Sequence, residues 1–498
     1  MQLKIAFFLL LLTQVSASFA EGRPNVVIFL VDDMGPMDTS VPFLTDEYGQ
    51  PEEHPLNGYY LTPSMDRLAS HGIRFETFYA NSVCSPTRTS IITGQSSARH
   101  KVTQWINPIE KNDGPQGWKW LGIESTDITL PRLLQSAGYH TIHIGKGHFG
   151  PKDSEGSDPL NLGFDINIGG SSIGRPKSYY GEKAYGRGDM RQPPHLEAYH
   201  GTDTFLTEVL TLEALKSVDT AVETGKPFFL YFSHYAVHGP FNPDPRFADL
   251  YKDKALTDDV GEPSAAFATL ISGIDKSLGD LLDHLEETGQ AENTLIFFLG
   301  DNGSDAPIKH PDKPGNSSAP LRDKKGSRYE GGIRVPFIVA WAKNNPSNAL
   351  QQQYPVAQNA TTSSAFGSVE DLMPTVLQLT GVQAPADHIM DGFDLMPAFK
   401  MANSGTGRNH FLMHFPHQHR SSNFTVYREG DWKLIRNYHA SGDSFELFNL
   451  SDDPYETTDL AQSQPGMVQS LLQAMQGKLD EAGALYITGS KKEVLGSE

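Results

Sequence analysis

A chain of 498 residues is long enough for two or three domains, or for one large α/β domain with an appendage, and so for a sizeable core. Hydrophobic residues at 38%, charged residues at 20% and 46 glycines are ordinary globular composition, which excludes wholesale disorder, a collagen-like repeat and a coiled coil. Lys and Arg number 40 against 60 Asp and Glu, a net charge of −20; that field repels polyanions, so no nucleic-acid partner is expected and any anionic substrate needs a local basic pocket.

Residues 1–20 read as a signal peptide: Lys4, an apolar run from Ile5 to Leu12, then small residues ending in Ser18-Phe19-Ala20, with cleavage expected after Ala20. The apolar run falls short of the ~18–20 residues a membrane span needs. Export to the periplasm or the medium is therefore expected, with no membrane span. The single cysteine, Cys84, rules out an intramolecular disulfide and a Cys-based zinc site, and a lone thiol in an exported chain points to its reactivity.

The mature chain opens on Asn25-Val26-Val27-Ile28-Phe29-Leu30-Val31, a β-branched apolar run too short for a helix, and so a buried parallel strand. It ends in Asp32-Asp33-Met34-Gly35. Thr62-Pro63 opens a helix, with a capping threonine and proline at its first position. Strands are predicted at His140–Ile144, Pro227–Phe232, Thr294–Leu299 and Val335–Trp341. The Thr294 run ends in Gly300-Asp301-Asn302-Gly303. Residues 264–288 space Phe267, Leu270, Ile271, Ile274, Leu278, Leu281, Leu282 and Leu285 as a helix that stops before Gly289. Strands alternating with helices predict an α/β fold: a large, mostly parallel sheet sandwiched by helices. From about residue 396 the pattern changes to short strands at 424–428, 432–436 and 445–448, then a helix near 465–481. The expected organisation is a main α/β unit over 21–395 and a smaller C-terminal antiparallel sheet plus helix over 396–498.

Ligands of open α/β sheets bind beyond the carboxyl ends of strands. Asp32, Asp33, Asp301 and Asn302 stand at two such ends and offer only oxygen, which suits a hard cation, Ca²⁺ or else Mg²⁺, better than zinc. Either motif alone would be ordinary turn residues; the pair together predicts a metal site. Neighbouring residues of a strand point to opposite faces, so Asp32 and Asp33 can share an ion only where the chain is leaving the strand. Asn302-Gly303-Ser304 matches a glycosylation sequon and is taken as accidental. Cys84-Ser85-Pro86-Thr87-Arg88 reads as a helix start, whose N-terminus favours negative charge. Long helical side chains lean back towards the N-terminus, which would return Arg88 towards position 84.

Cys84-x-Pro86-x-Arg88 followed by Thr-Ser-Ile-Ile-Thr-Gly resembles the signature of the type I sulfatases, the formylglycine-dependent, arylsulfatase-like branch of the alkaline phosphatase superfamily. The resemblance extends over nearly the whole mature chain. It includes Asn25–Gly35, Gly138–Gly150, Phe228–Pro240 with His238, Asp301-Asn302-Gly303, Leu321–Pro336, and Glu429–Ile435 with Phe445–Leu460. Gly147 stands where the family usually has tryptophan, a change expected in the pocket wall. The resemblance implies that a maturation enzyme oxidises Cys84 to 3-oxoalanine (formylglycine), whose hydrate, a gem-diol, attacks sulfur with one hydroxyl and expels sulfate with the other. It also implies metal ligation by Asp32, Asp33, Cys84, Asp301 and Asn302. Lys146, His238 and Lys325 would surround the sulfate, with His238 or Lys325 as proton donor to the leaving alcohol. Arg88 and His148 would hold the modified side chain.

Trp105, Trp118 and Trp120, the basic and tyrosine-rich stretch 171–200, and the run His410, His414, His417, His419 and Arg420 suggest a decorated surround suited to a sulfated carbohydrate, an oligosaccharide of an acidic polysaccharide. Two alternatives remain at this point: a phosphonate or phosphate ester hydrolase on the same scaffold, and a catalytically silent sugar-binding relative.

Overall fold

The computed structural model describes residues 22–109, 114–254, 261–310, 315–402, 404–420 and 423–487. The expected signal peptide lies outside them. Among the described residues fourteen strands run in chain order: β1 Asn25–Val31, β2 Ile73–Tyr79, β3 His140–Gly145, β4 Ile166–Ile168, β5 Phe228–Ser233, β6 Glu262–Pro263, β7 Thr294–Gly300, β8 Ile308–Lys309, β9 Phe337–Trp341, β10 Ala360–Ser368, β11 His410–Phe415, β12 Phe424–Glu429, β13 Trp432–Asn437 and β14 Ser444–Asn449.

Eight of them form one sheet in the order β10-β2-β9-β7-β1-β5-β3-β4. Only β9 runs against its neighbours, pairing antiparallel with both β2 and β7. β1 is central, parallel to β5 on one side and β7 on the other. Every residue of β1 is buried, and alternate side chains go to opposite faces. Val27, Phe29 and Val31 join one core with Leu270, Ile274 and Leu278 of the helix Ala265–Glu287. Val26, Ile28 and Leu30 join the other with Ile91 and Ile92 of the helix Cys84–Thr93. The continuous apolar run is therefore what a strand covered on both faces requires.

β11, β12, β13 and β14 make a separate antiparallel sheet. Leu471, Met475 and Leu479 of the helix Pro465–Ala482 cover one face against Leu434 and Leu447. On the other face Phe411, Val426 and Ile435 pack with Tyr79 and Phe366 of the large sheet. Buried charge adds to that seam: Lys433 Nζ lies 2.8 Å from Glu330 Oε1 and 2.6 Å from Glu456 Oε1. Among the described residues no helix is long and apolar enough to cross a membrane.

His234, just beyond β5, is fully buried between the rings of Phe29 and Phe232, with Nε2 3.0 Å from Ser277 Oγ. Burial holds its pKa down at about 3. A depressed histidine pKa contributes stability that is complete above the unfolded value near 6.5 and is lost as the pH falls towards 3, because the unfolded chain takes up a proton the folded one refuses. Between pH 6 and 4, wild type should lose up to about 1.4 kcal/mol more per pH unit than His234→Gln. Urea unfolding at several pH values measures it; parallel pH profiles for the two proteins would contradict it.

Candidate active site

Four adjacent strands, β7-β1-β5-β3, deliver the site from their carboxyl ends. β7 is followed by Asp301 and Asn302, β1 by Asp32 and Asp33, and β3 by Lys146; β5 ends at Ser233. Asp33 has φ 63°, a left-handed conformation that aspartate tolerates better than most side chains. This turn lets two consecutive carboxylates face one point, just where the chain leaves β1. Asp33 N–H donates to Asp301 Oδ1 at 3.0 Å, and Asp301 N–H donates to the Val31 carbonyl at 3.0 Å.

Asp32, Asp33 and Asp301 are fully buried or nearly so, and each offers a carboxylate oxygen within 4.8 Å of the others. Asn302 donates its Nδ2 to Asp33 Oδ1 (2.9 Å) and to the Gly303 carbonyl, which fixes its amide oxygen in place. Asp32 Oδ1, Asp33 Oδ2 and Asn302 Oδ1 are buried and have no hydrogen-bond partner among the described residues. Buried polar atoms are costly when unpaired. Orphaned oxygens of two carboxylates and an amide, gathered in one place, fit a hard divalent cation. Asn302 is fully buried with its Nδ2 engaged, so the native fold has no room for a glycan on it.

Three cations balance the three carboxylates. Lys146 Nζ is 2.7 Å from Asp32 Oδ2, and Lys325 Nζ hydrogen-bonds Asp33 Oδ1. Arg88 is fully buried. Its Nε and Nη2 donate to Asp301 Oδ2 at 3.1 and 2.7 Å, and its Nη1 donates to the Lys146 carbonyl and to Ser233 Oγ. Its hydrogen bonds therefore serve Asp301, the Lys146 carbonyl and Ser233 rather than Cys84. Removing Asp301 would leave this buried guanidinium with only the longer contact to Asp32 Oδ1 at 3.9 Å, a loss of about 3 kcal/mol. Burial pushes the Asp32 carboxyl well up, with Lys146 opposing. Against the same desolvation, Lys325, His238 and Lys146 hold Asp33 far below the usual carboxylate range.

Cys84 begins the helix Cys84–Thr93 and is 4% exposed. Its Sγ lies 3.3 Å from His148 Nδ1. His148 Nε2 is 2.6 Å from the Ile106 carbonyl, which can only accept, so the ring proton sits on Nε2 and Nδ1 faces the thiol as an acceptor. Burial keeps this imidazole neutral, its pKa well below the ordinary value. His238 Nδ1 similarly donates to the Gly239 carbonyl, leaving Nε2 3.7 Å from Asp33 Oδ2; burial lowers its pKa to about 3.

Cys84, His148, His238 and Lys325 line one cavity of about 390 Å³. Lys146 and Arg88 lie outside that lining, bound to the carboxylates of Asp32 and Asp301, which lie outside it as well. Of the surrounding residues singled out from sequence, Trp105, Arg175, Arg191, His419 and Arg420 line the cavity. Trp118 instead packs its ring against His417. His410 and His414 belong to β11 and are not part of the cavity lining. His414 is buried between Thr425 and the Leu485 carbonyl, and His417 is buried with Nε2 2.7 Å from Thr103 Oγ1. Tyr179 and Tyr185 are buried as well. The Tyr179 hydroxyl lies 2.7 Å from the carbonyls of both Tyr235 and His238, so it ties the 171–200 stretch to the site. Gly147 is likewise not part of the lining: a Cβ there would stand 3.1 Å from the Ser171 carbonyl oxygen, so that stretch occupies the room. Ser233, Ile109 and Met190 were not foreseen. Ser233 gave no signal beyond closing a strand, and the other two are apolar residues whose place at the cavity follows only from tertiary packing.

A mostly parallel sheet that sets three buried carboxylates and Lys146 beyond the ends of adjacent strands, with the lone thiol at a helix start facing His148, has the form of an α/β hydrolase site. The chain belongs to the sulfatase family, whose model matches residues 24–382; the model described as N-sulphoglucosamine sulphohydrolase, C-terminal, matches residues 321–484. It is 30% identical over 402 residues to N-acetylgalactosamine-6-sulfatase of Canis lupus familiaris, a match spanning 77% of this chain and 67% of that one. A sulfatase of Formosa agariphila is 25% identical over 93% of this chain and 90% of its own length. Among solved structures, Ps i-CgsB in complex with k-i-k-neocarrahexaose shares the fold, with a TM-score of 0.69 at 23% identity over 92% of this chain and 93% of that one.

Proposed function

We propose that this protein is an exported sulfatase that hydrolyses a sulfate ester on a carbohydrate, with Cys84, matured to 3-oxoalanine by an oxidising partner enzyme, as the nucleophile. The observation that supports it most is the placement of Cys84 in the lining of a cavity shared with His148, His238 and Lys325, of which Lys325 hydrogen-bonds Asp33 of the carboxylate cluster. One relative is named N-acetylgalactosamine-6-sulfatase and the solved structure Ps i-CgsB holds k-i-k-neocarrahexaose, and the Trp105 face with arginines around it suits a sugar ligand. A division at residue 396 belongs to this reading, with His419 and Arg420 of the C-terminal unit completing the cavity wall.

In this reading Asp32, Asp33, Asp301 and Asn302 hold a divalent cation, Ca²⁺ or Mg²⁺, with the matured residue 84 as a further ligand. Such an ion supplies Lewis acidity and a fixed positive charge where the ester oxygens bind. The aldehyde hydrate at position 84 supplies two hydroxyls, one to attack sulfur and one to release sulfate, so that one hard step becomes two easier ones. His148, with Nδ1 bare and facing residue 84, accepts a proton there. Lys325 and Lys146 contribute positive charge from a buried setting, where fixed charges act more strongly than in water. Arg88 positions Asp301.

His238 and Lys325 both line the cavity, and leaving-group chemistry separates them. A good aryl leaving group needs little protonation, whereas a sugar alkoxide needs a great deal. Removal of the general acid, by His238→Ala or Lys325→Ala, should therefore cost about 100-fold more on a sugar sulfate than on 4-nitrophenyl sulfate. Removal of the other should cost both substrates alike. Equal losses in both variants would remove the proton-donor role from the pair. The reading as a whole is tested by comparing 4-nitrophenyl sulfate with 4-nitrophenyl phosphate: sulfate should be released and phosphate release should be the slower. The reverse preference would overturn it.

A further inference from the structure

The mouth of the cavity carries a charge that no carboxylate of the described residues offsets. Three arginines line it: Arg175, Arg191 and Arg420. Arg191 is paired with Asp189, Nε to Oδ1 at 3.0 Å. Arg420 forks onto Asp305 through two contacts of 2.7 Å and lies 3.3 Å from the Lys325 carbonyl through Nη1, so it holds the Lys325 loop. Arg175 is exposed and has no carboxylate within ion-pair distance among the described residues. In a chain of net charge −20, one unmatched guanidinium at the rim of a cavity is a local attractor for anions.

Its position is fixed by the backbone before it. A Cβ on Gly174 would stand 2.8 Å from His148 Cε1, so the chain lies directly on the ring that faces Cys84, and Arg175 is the next residue outward. The Lys177 N–H donates to the Arg191 carbonyl at 3.1 Å, which brings Met190 to the same rim. Met190 and Ile109 line the cavity while remaining 58% and 52% exposed. Apolar side chains that stay open at a rim suit the C–H face of a sugar ring, and a guanidinium beside them suits a carboxylate or sulfate through paired, charge-assisted hydrogen bonds.

Resting on the sulfatase reading, we propose that Arg175 is a specificity-determining residue that reads a second anionic group, a carboxylate or a second sulfate, on the oligosaccharide whose sulfate ester enters the cavity. Arg191 and Arg420 are poorer candidates for this contact because an incoming anion would compete with a carboxylate already seated on each.

The test compares wild type, Arg175→Gln and Arg175→Lys on a panel of probes: 4-nitrophenyl sulfate, N-acetylgalactosamine 6-sulfate, its 4,6-disulfate, and the 6-sulfate linked to glucuronic acid with the carboxyl free or methyl-esterified. Sulfate release gives kcat/KM, and competition against 4-nitrophenyl sulfate gives the same ranking for any sugar that is bound without turnover. Arg175→Gln should lose about 10-fold or more on the dianionic probes relative to the monoanionic ones, and Arg175→Lys should recover part of it. A loss confined to the free carboxyl identifies a uronate, and one confined to the disulfate identifies a second sulfate. Equal loss on every probe, or none, overturns the assignment of Arg175 while leaving the sulfatase reading in place. Failure of matured wild-type protein to release sulfate from any ester overturns the sulfatase reading, and this inference with it.

Discussion

Cys84→Ala should abolish sulfate release, by about 10⁴-fold or more, as removal of a covalent nucleophile does in hydrolases, while the fold survives. The substitution deletes one buried sulfur whose polar contact is with His148 Nδ1. The helix it begins is anchored elsewhere, by Ile91 and Ile92 in one of the two main cores, so the loss in stability should be about 1 kcal/mol. Thermal unfolding together with sulfate release separates the two effects. Cys84→Ser gives a second readout. A single hydroxyl can attack sulfur but has no neighbour to expel sulfate, so the protein should stall as a sulfate ester on the introduced hydroxyl oxygen after at most one turnover. Wild-type turnover in the alanine variant would contradict the nucleophile.

Chelation should be comparably severe. Stripping divalent cations should silence the enzyme, and Ca²⁺ or Mg²⁺ should restore it. A readout independent of turnover follows from linkage: a cation that binds only the folded chain stabilises it by about 2.7 kcal/mol at 100 times its Kd. The unfolding midpoint should rise with added cation, and Asn302→Ala, which removes one orphaned oxygen, should weaken that response without stranding any buried cation. A midpoint and an activity both indifferent to chelator and cation would contradict a metal at Asp32, Asp33, Asp301 and Asn302.

The parts of this molecule that sequence made legible are those where one local pattern serves one physical purpose. β1 and β7 are continuous apolar runs because both faces of the sheet are covered, and the helix Ala265–Glu287 shows its period because one stripe of it is buried. The carboxylates at the ends of β1 and β7 follow from those strands directly. Strand direction is different: nothing in Phe337–Trp341 distinguishes an antiparallel partner from a parallel one, so the reversal of β9 was hidden. β10, Ala360–Ser368, is too polar to stand out and is a strand because β2 pairs with it. Within the histidine run, His410 and His414 share a face of β11, His410-Phe411-Leu412-Met413-His414-Phe415, and do not line the cavity that His419 and Arg420 line. At the site, residue types were legible but partners were not. Arg88's attachment to Asp301 and Ser233, and the solitary charge of Arg175, depend on residues far apart in the chain that only the fold brings together.

The central claim is that residue 84 acts as an aldehyde hydrate made from cysteine, and mass analysis of the tryptic peptide Phe75–Arg88 tests it most directly. In active protein from a host with maturation machinery, that peptide should lack one sulfur and two hydrogens and carry one additional oxygen, in proportion to specific activity across preparations. Full sulfate release from protein whose peptide carries an intact thiol throughout would contradict it.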